Sequence, residues 1–269
     1  MRQRPKFAPR VVPPVPDEGE QWDEALSDSG PSECSPGLGA NPRDSRSPAR
    51  QPRCVVHVVT AENRHLYQEE LEASFRLRHH VYVTERRWNP FRRPDQRQVD
   101  QYDTPSAIYL LAIEEESCRL VGGTRLVPTM AAPVLGELDR TELPRSPNIF
   151  HLSRNIVVAD RREGSSFNTV AATIMCGIQE YCLAEDIEQL TVLSRMSLLP
   201  TYLELGWNPQ PLAMPEVLWG TSCVLAVLDV SELALSRSLA ARNITGSVLV
   251  RRGITLPAIQ QVPGSGWLC

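Results

Sequence analysis

Lysine is almost missing from this chain: among 28 lysine and arginine residues, only Lys6 is a lysine. Usage of that kind most simply reflects a GC-rich genome and carries no chemistry of its own. A basic surplus is missing too, since the formal net charge is −4, which argues against nucleic acid as a partner. No apolar run approaches the roughly 18 residues of a membrane span, and the start of the chain carries no signal-peptide core. The seven cysteines, at 34, 54, 118, 176, 182, 223 and 269, show neither CxxC nor Cys/His ligand spacing. They read as reduced thiols, with no disulfide frame, no metal site and no bound cofactor. The expectation is a cytoplasmic protein with no membrane partner and enough apolar area for a sizeable core.

Residues 1–53 lack bulky apolar side chains and hold ten of the 23 prolines, together with serine, glycine and evenly mixed charges. Such a segment buries too little surface to offset its chain entropy, so a disordered extension is expected. An over-extended start, with translation beginning near Val55 or Val56, is the alternative. From there the pattern becomes globular. CVVHVVT reads as a strand, and apolar positions at 66, 67, 71, 75 and 81 give a helical stripe over 62–83, with Asn63 as its cap. Asn89-Pro90 and Arg93-Pro94 break it and open a long loop. Strand-like runs follow at 107–113, 120–127 and 149–158, then an amphipathic helix over 167–182. A strand at 189–193, a short helix ending at Gly206-Trp207, a strand at 223–230 and a helix at 231–242 complete the pattern. This order predicts a single α/β domain over 54–242 with a central mixed sheet flanked by helices. Residues 243–269 show no period and read as a C-terminal tail.

Charged residues sit in unexpectedly apolar company. Arg78 lies inside the first helical stripe, with Tyr82 one turn on and Trp88 beyond; Asp100 and Asp103 close the loop. GGTRLVPT and HLSRNIVV each place one arginine, Arg125 and Arg154, inside a strand-like run. Guanidinium and carboxylate groups are costly to bury unless they pair, so these five read as one site. A second feature is Arg161-x-x-Gly164-x-Ser166, a turn between a buried strand and a helix, where backbone N–H groups suit a phosphate. It approximates the phosphopantetheine-binding turn of the GNAT acyltransferases. Tyr202 to Trp207 (YLELGW) also resembles a helix end of that fold.

Taken in order, Arg78 to Trp88, VDQYD, GGTRLVPT and xxSRxxV closely resemble the acyl-homoserine lactone synthases, the autoinducer-synthase family. The resemblance covers about Val55 to Leu228. It implies a GNAT-like fold with a V-shaped cleft between two central strands. It also implies an acyltransferase that joins an acyl group to the amine of S-adenosylmethionine and closes the lactone, with acyl carrier protein or coenzyme A presenting the acyl group. Carried over by position, Arg78, Tyr82 (where the family has Phe), Trp88, Asp100, Asp103, Arg125 and Arg154 would shape the S-adenosylmethionine pocket. Arg78 or Arg125 would bind its carboxylate, the aspartates its cationic groups, and the aromatics its adenine or sulfonium.

The family's glutamate before x-[ST]-R is here His151, preceded by Phe150. Three readings stay open: His151 is the base for the attacking amine, the chain is a divergent member with altered substrate or reduced activity, or His151 is a packed strand residue. Ser153, Met175, Thr191 and Leu193 are candidates to line an acyl path between the sheet and the helix at 167–182. Arg86, Arg87, Arg92, Arg93 and Arg97 would suit an acidic carrier protein or order over the nucleotide. The competing functions are a generic GNAT N-acyltransferase with His151 as base and Tyr202 as acid, and an inactive regulatory protein that binds the acyl thioester or S-adenosylmethionine.

Overall fold

Strand β1 (Cys54–Val59) is buried at every position and lies inside the sheet instead of at its edge. The computed structural model describes residues 53–131, 143–162, 169–218 and 220–253. Eight further strands join β1: β2 (Ile108–Glu114), β3 (Leu120–Pro128), β4 (Ile149–Val157), β5 (Gln189–Arg195), β6 (Gln210–Pro211), β7 (Glu216–Leu218), β8 (Thr221–Asp229) and β9 (Leu249–Val250). Among the described residues the sheet order is β6-β8-β5-β4-β3-β2-β1-β9, with β7 paired to β8. Only β4–β5 and β1–β9 are parallel. The sheet is therefore mixed, as the element order suggested.

Two helical layers cover it. Helix α2 (Thr169–Ala184) lays Ile174, Ile178 and Cys182 on Leu110, Leu126, Leu152, Leu190 and Val192, with α4 (Glu232–Ala240) beside it. On the other face, α1 (Gln68–His79) carries Leu71 against Val59, Tyr109, Leu111 and Ile113, next to Tyr67. Alternation along each strand then divides the labour: Leu126, Leu152 and Val192 serve the α2 face, while Tyr109, Arg125, His151, Ser153 and Thr191 are left for the α1 face. A Cβ at Gly122 of β3 would lie 2.7 Å from the Ile156 carbonyl oxygen, so only glycine lets α2 and β4 approach there.

Several boundaries differ from the sequence reading. The helix expected over 62–83 is a short 3-10 turn at 64–66, then α1, then a π-helical turn over His80–Glu85. Asn63 does not cap it; its side chain accepts the Thr60 N–H and donates to the Val58 and Arg252 carbonyls, joining distant segments. The short helix α3 (Leu199–Glu204) ends at Gly206, whose φ of 77° allows the Trp207 N–H to reach back to Tyr202 and the Gly206 N–H to Leu203. The stretch read as a C-terminal tail is packed over its described part. Residues 247–253 are tied in by β9, by the buried Val248, by Glu180 accepting from the Val248 N–H, and by Tyr67 accepting from the Arg252 N–H. The period was invisible because the segment is held by polar anchors and two ladder pairs. Residues 1–52 and 254–269 lie outside the described residues.

Candidate active site

The parallel pairing of β4 with β5 runs from Ile149–Gln189 to Leu152–Val192 and stops, although the strands continue to Val157 and Arg195. This parting is the cleft. On its other side, the β3–β4 ladder slips one residue between the pairs Gly123–Ile156 and Arg125–Ser153. The extra residue is accommodated by Arg154, which sits in the left-handed region at φ 59°. A β-bulge re-aims the side chain it carries, and here it turns Arg154 toward the loop that holds the acids. That conformation is costly for a non-glycine residue and characteristic of sites where geometry matters more than local stability.

The five charged residues converge in two layers. The inner one is closed to solvent: the Arg78, Asp103 and Arg125 side chains are 2%, 1% and 1% exposed. Arg78 Nη1 donates to both Asp103 oxygens at 2.9 and 3.0 Å, and Arg125 Nη1 lies 2.8 Å from Asp103 Oδ1. The Asp100 N–H and the Tyr109 hydroxyl complete the shell of Asp103 at 2.8 and 2.9 Å. The outer layer is partly open to solvent. Asp100, 12% exposed, accepts from Arg125 Nη1 at 2.7 Å and from Arg154 Nη2 at 2.6 Å, while Arg154 itself is 20% exposed. Arg154 Nε is buried without a hydrogen-bond partner among the described residues.

Burial alone would raise the Asp100 carboxyl, but hydrogen bonds and charge from Arg125, with Arg154, outweigh it and hold it well below the usual carboxylate range. Asp103 goes the same way: burial opposes, and Arg78 and Arg125 prevail. Three guanidiniums against two carboxylates leave one positive charge in excess.

An aromatic wall stands beside Arg154. Tyr82 and Trp88 stack at 5.1 Å with their planes 15° apart, fixed by the Trp88 N–H donating to the Tyr82 carbonyl across the π turn. Arg154 lies over Tyr82 at 5.4 Å and over Phe91 at 5.3 Å. The sequence reading missed Phe91; its place between Asn89-Pro90 and the arginine run looked like plain loop.

Other candidates fare differently. Arg78 and Arg125 are saturated by aspartates and closed to solvent, so neither fits the substrate-carboxylate role; Arg154 is the guanidinium of the three with exposed surface. His151 is fully buried on β4, its Nδ1 3.0 Å from Thr191 Oγ1. Burial first, then Arg125 and Arg154, push its pKa down to about 3. A neutral imidazole with so little proton affinity is poorly suited to be the base. Ser153 holds Arg125 Nε at 3.3 Å and shares the α1 face with Thr191 and Leu193. Met175 packs in the core on the α2 face together with Leu152, Ile174 and Val192, apolar side chains of the kind expected along an acyl path. Phe150 packs against the edge of that same core, half-buried.

Arg161 is committed to Glu114 at 2.5 Å, while Gly164 and Ser166 lie outside the described residues. Among the loop arginines, Arg86 covers Tyr82 and Trp88, and Arg97 pairs with Glu72. Tyr202 is buried and hydrogen-bonded to Ser194 on β5.

A parted mixed sheet with a charged, aromatic-walled cleft defines an α/β acyltransferase fold, and comparison with known proteins agrees. The autoinducer synthase model matches residues 62–237, and the chain belongs to that family of acyltransferases. An isovaleryl-homoserine lactone synthase of Bradyrhizobium diazoefficiens is 37% identical over 186 residues, 67% of this chain and 82% of that protein. The structure of BjaI, a coenzyme A-dependent acyl-homoserine lactone synthase solved with S-adenosylmethionine and isopentyl-CoA, is 35% identical with a TM-score of 0.68; the match covers 76% of this chain and 96% of that one. That of MesI, also a coenzyme A-dependent acyl-homoserine lactone synthase, is 31% identical with a TM-score of 0.63, covering 72% and 98%. No helix among the described residues is long and apolar enough to cross a membrane.

Proposed function

We propose that the chain transfers an acyl group from a coenzyme A thioester to the amine of S-adenosylmethionine and lactonises the product to an N-acyl-homoserine lactone. The observation that carries this is the outer layer: Asp100 and Arg154 present one carboxylate and one guanidinium, partly exposed, beside stacked aromatics at the mouth of the cleft. A zwitterionic sulfonium compound needs that combination. Arg154 pairs with its carboxylate, Asp100 with the sulfonium, and the Tyr82–Trp88–Phe91 wall covers the adenine or the sulfonium methyl.

The acyl carbonyl lies where β4 and β5 part, polarised by backbone N–H groups freed from pairing. The amine attacks, its nitrogen bonds to the acyl carbon, and the thiol leaves with the amine's proton. The carboxylate oxygen then displaces sulfur from the γ-carbon, releasing methylthioadenosine and forming the lactone. The excess positive charge of the arginine lattice favours the neutral amine over the ammonium, so no strongly basic side chain is required. His151 keeps Thr191 in place and takes no proton.

Coenzyme A is favoured over a carrier protein for two reasons. The two solved relatives above are described as coenzyme A-dependent. Arg195, at the end of β5, also lies near Arg86 and Arg162, and although Arg162 pairs with Glu85 the three guanidiniums against one carboxylate leave a cationic surplus suited to phosphates. The test incubates the full chain with S-adenosylmethionine and either acyl-CoA or acyl-carrier protein, and identifies products by mass spectrometry. Lactone and methylthioadenosine in equal amounts from acyl-CoA are expected. Acylation of another amine without methylthioadenosine would overturn the reading, and lactone from the carrier protein alone would overturn the donor assignment.

A further inference from the structure

Tyr109 lies outside the charged and aromatic motifs of the sequence. On β2 it sits in an apolar run, IYLLAI, and reads as core. Its side chain is 1% exposed, yet its hydroxyl donates to Asp103 Oδ1 at 2.9 Å. In the β2–β3 ladder Tyr109 stands directly opposite Arg125, so the two side chains leave the sheet together on the α1 face. Its ring lies 5.5 Å from the Arg78 guanidinium, whose other neighbour is Phe75 at 5.2 Å, and Phe75 and Tyr109 meet edge to face. Arg64 covers the same ring at 5.2 Å and donates to the Thr104 and Ala107 carbonyls, which fastens the loop bearing the acids to the tyrosine. One neutral side chain thus touches Arg78 and Asp103, neighbours Arg125, and backs the loop.

We infer that Tyr109 is a positioning residue: its phenol fixes the buried Arg78–Asp103–Arg125 layer and, through it, aims Asp100 and Arg154 into the cleft. A neutral donor is the group such a layer needs. The Asp103 carboxylate is already contacted by two guanidiniums, and a third cation would add repulsion, whereas the Tyr109 O–H joins them at Oδ1 without adding charge. Burial and the adjacent Asp103 carboxylate both push the phenol's pKa up, so it keeps its proton and stays a donor. Asp103 is held by four groups, Arg78, Arg125, Tyr109 and the Asp100 N–H, of which the phenol is the one neutral side chain.

This rests on the function proposed above, and the test separates the two. Tyr109→Phe keeps the ring and its guanidinium contacts and removes only the hydroxyl. Tyr67→Phe is the control: Tyr67 is as buried, its hydroxyl contacts His57 and the Arg252 N–H, and it has no part in the site. In steady-state assays of the full chain, kcat for methylthioadenosine release should fall about tenfold or more in Tyr109→Phe, with the KM for acyl-CoA unchanged, and within about twofold of wild type in Tyr67→Phe. Equal losses in both variants, or none in Tyr109→Phe, would overturn the inference. Side-chain nitrogen NMR of arginine gives a readout independent of turnover. Hindered rotation of the Arg78 guanidinium, seen as separate Nη signals in wild type, should be lost in Tyr109→Phe and kept in Tyr67→Phe. Separate signals persisting in Tyr109→Phe would overturn the positioning role even if the wild type proves inactive, while an inactive wild type with the NMR change would sink only the proposed function.

Discussion

Removing the Asp103 carboxylate leaves Arg78 and Arg125 in a closed space without their shared counter-charge. Breaking a buried ion pair from one side typically costs about 3–5 kcal/mol. Asp103→Ala should therefore lower the unfolding free energy by about that amount in urea titrations, where Asp100→Ala, at the partly exposed layer, should cost clearly less. Equal costs would mean that the two layers are wrongly distinguished. The pairing itself was legible in the sequence, because arginines inside apolar runs are unaffordable alone and two aspartates were at hand. Which guanidinium meets solvent was not legible, since that depends on a bulge one residue long. Nor was Tyr109, since a tyrosine in a buried strand looks like core until its hydroxyl's partner is known.

The element that decides the site's geometry is β4, with its slipped register and its left-handed Arg154. If the bulge belongs to the backbone and not to the arginine, glycine should occupy it more comfortably than alanine. Arg154→Gly is expected to be more stable than Arg154→Ala by about 1 kcal/mol, both being inactive. Calorimetric unfolding of the pair checks this; alanine equal to or better than glycine would place residue 154 in ordinary strand conformation. At this scale β2, β3, β4 and α2 were readable because period and length agree. The π turn and β9 were not. The first depends on one shifted hydrogen-bond pattern that holds Tyr82 to Trp88, the second on a pairing partner about 190 residues earlier in the chain.

The whole molecule should feel acid before its carboxylates do. His151 has a folded pKa of about 3 against roughly 6.5 unfolded. The unfolded state therefore binds the extra proton between those values. The contribution is complete above about pH 6.5 and is lost as pH falls toward 3, at up to about 1.4 kcal/mol per pH unit. His57, also depressed by burial, adds in the same direction. Asp100 and Asp103, held below their ordinary range, add a further loss only under about pH 4. Stability measured in urea should decline by about 2 kcal/mol or more from pH 6.5 to 5, and His151→Gln should flatten that slope without removing the share due to His57. An unchanged slope would mean that His151 is not buried neutral.

Substrate binding at Arg154 and Asp100 is tested most directly by isothermal titration of the full chain with S-adenosylmethionine. One-to-one binding that weakens about tenfold or more in both Arg154→Ala and Asp100→Asn is the predicted result. Absence of binding to the wild type, or binding indifferent to either substitution, would contradict it.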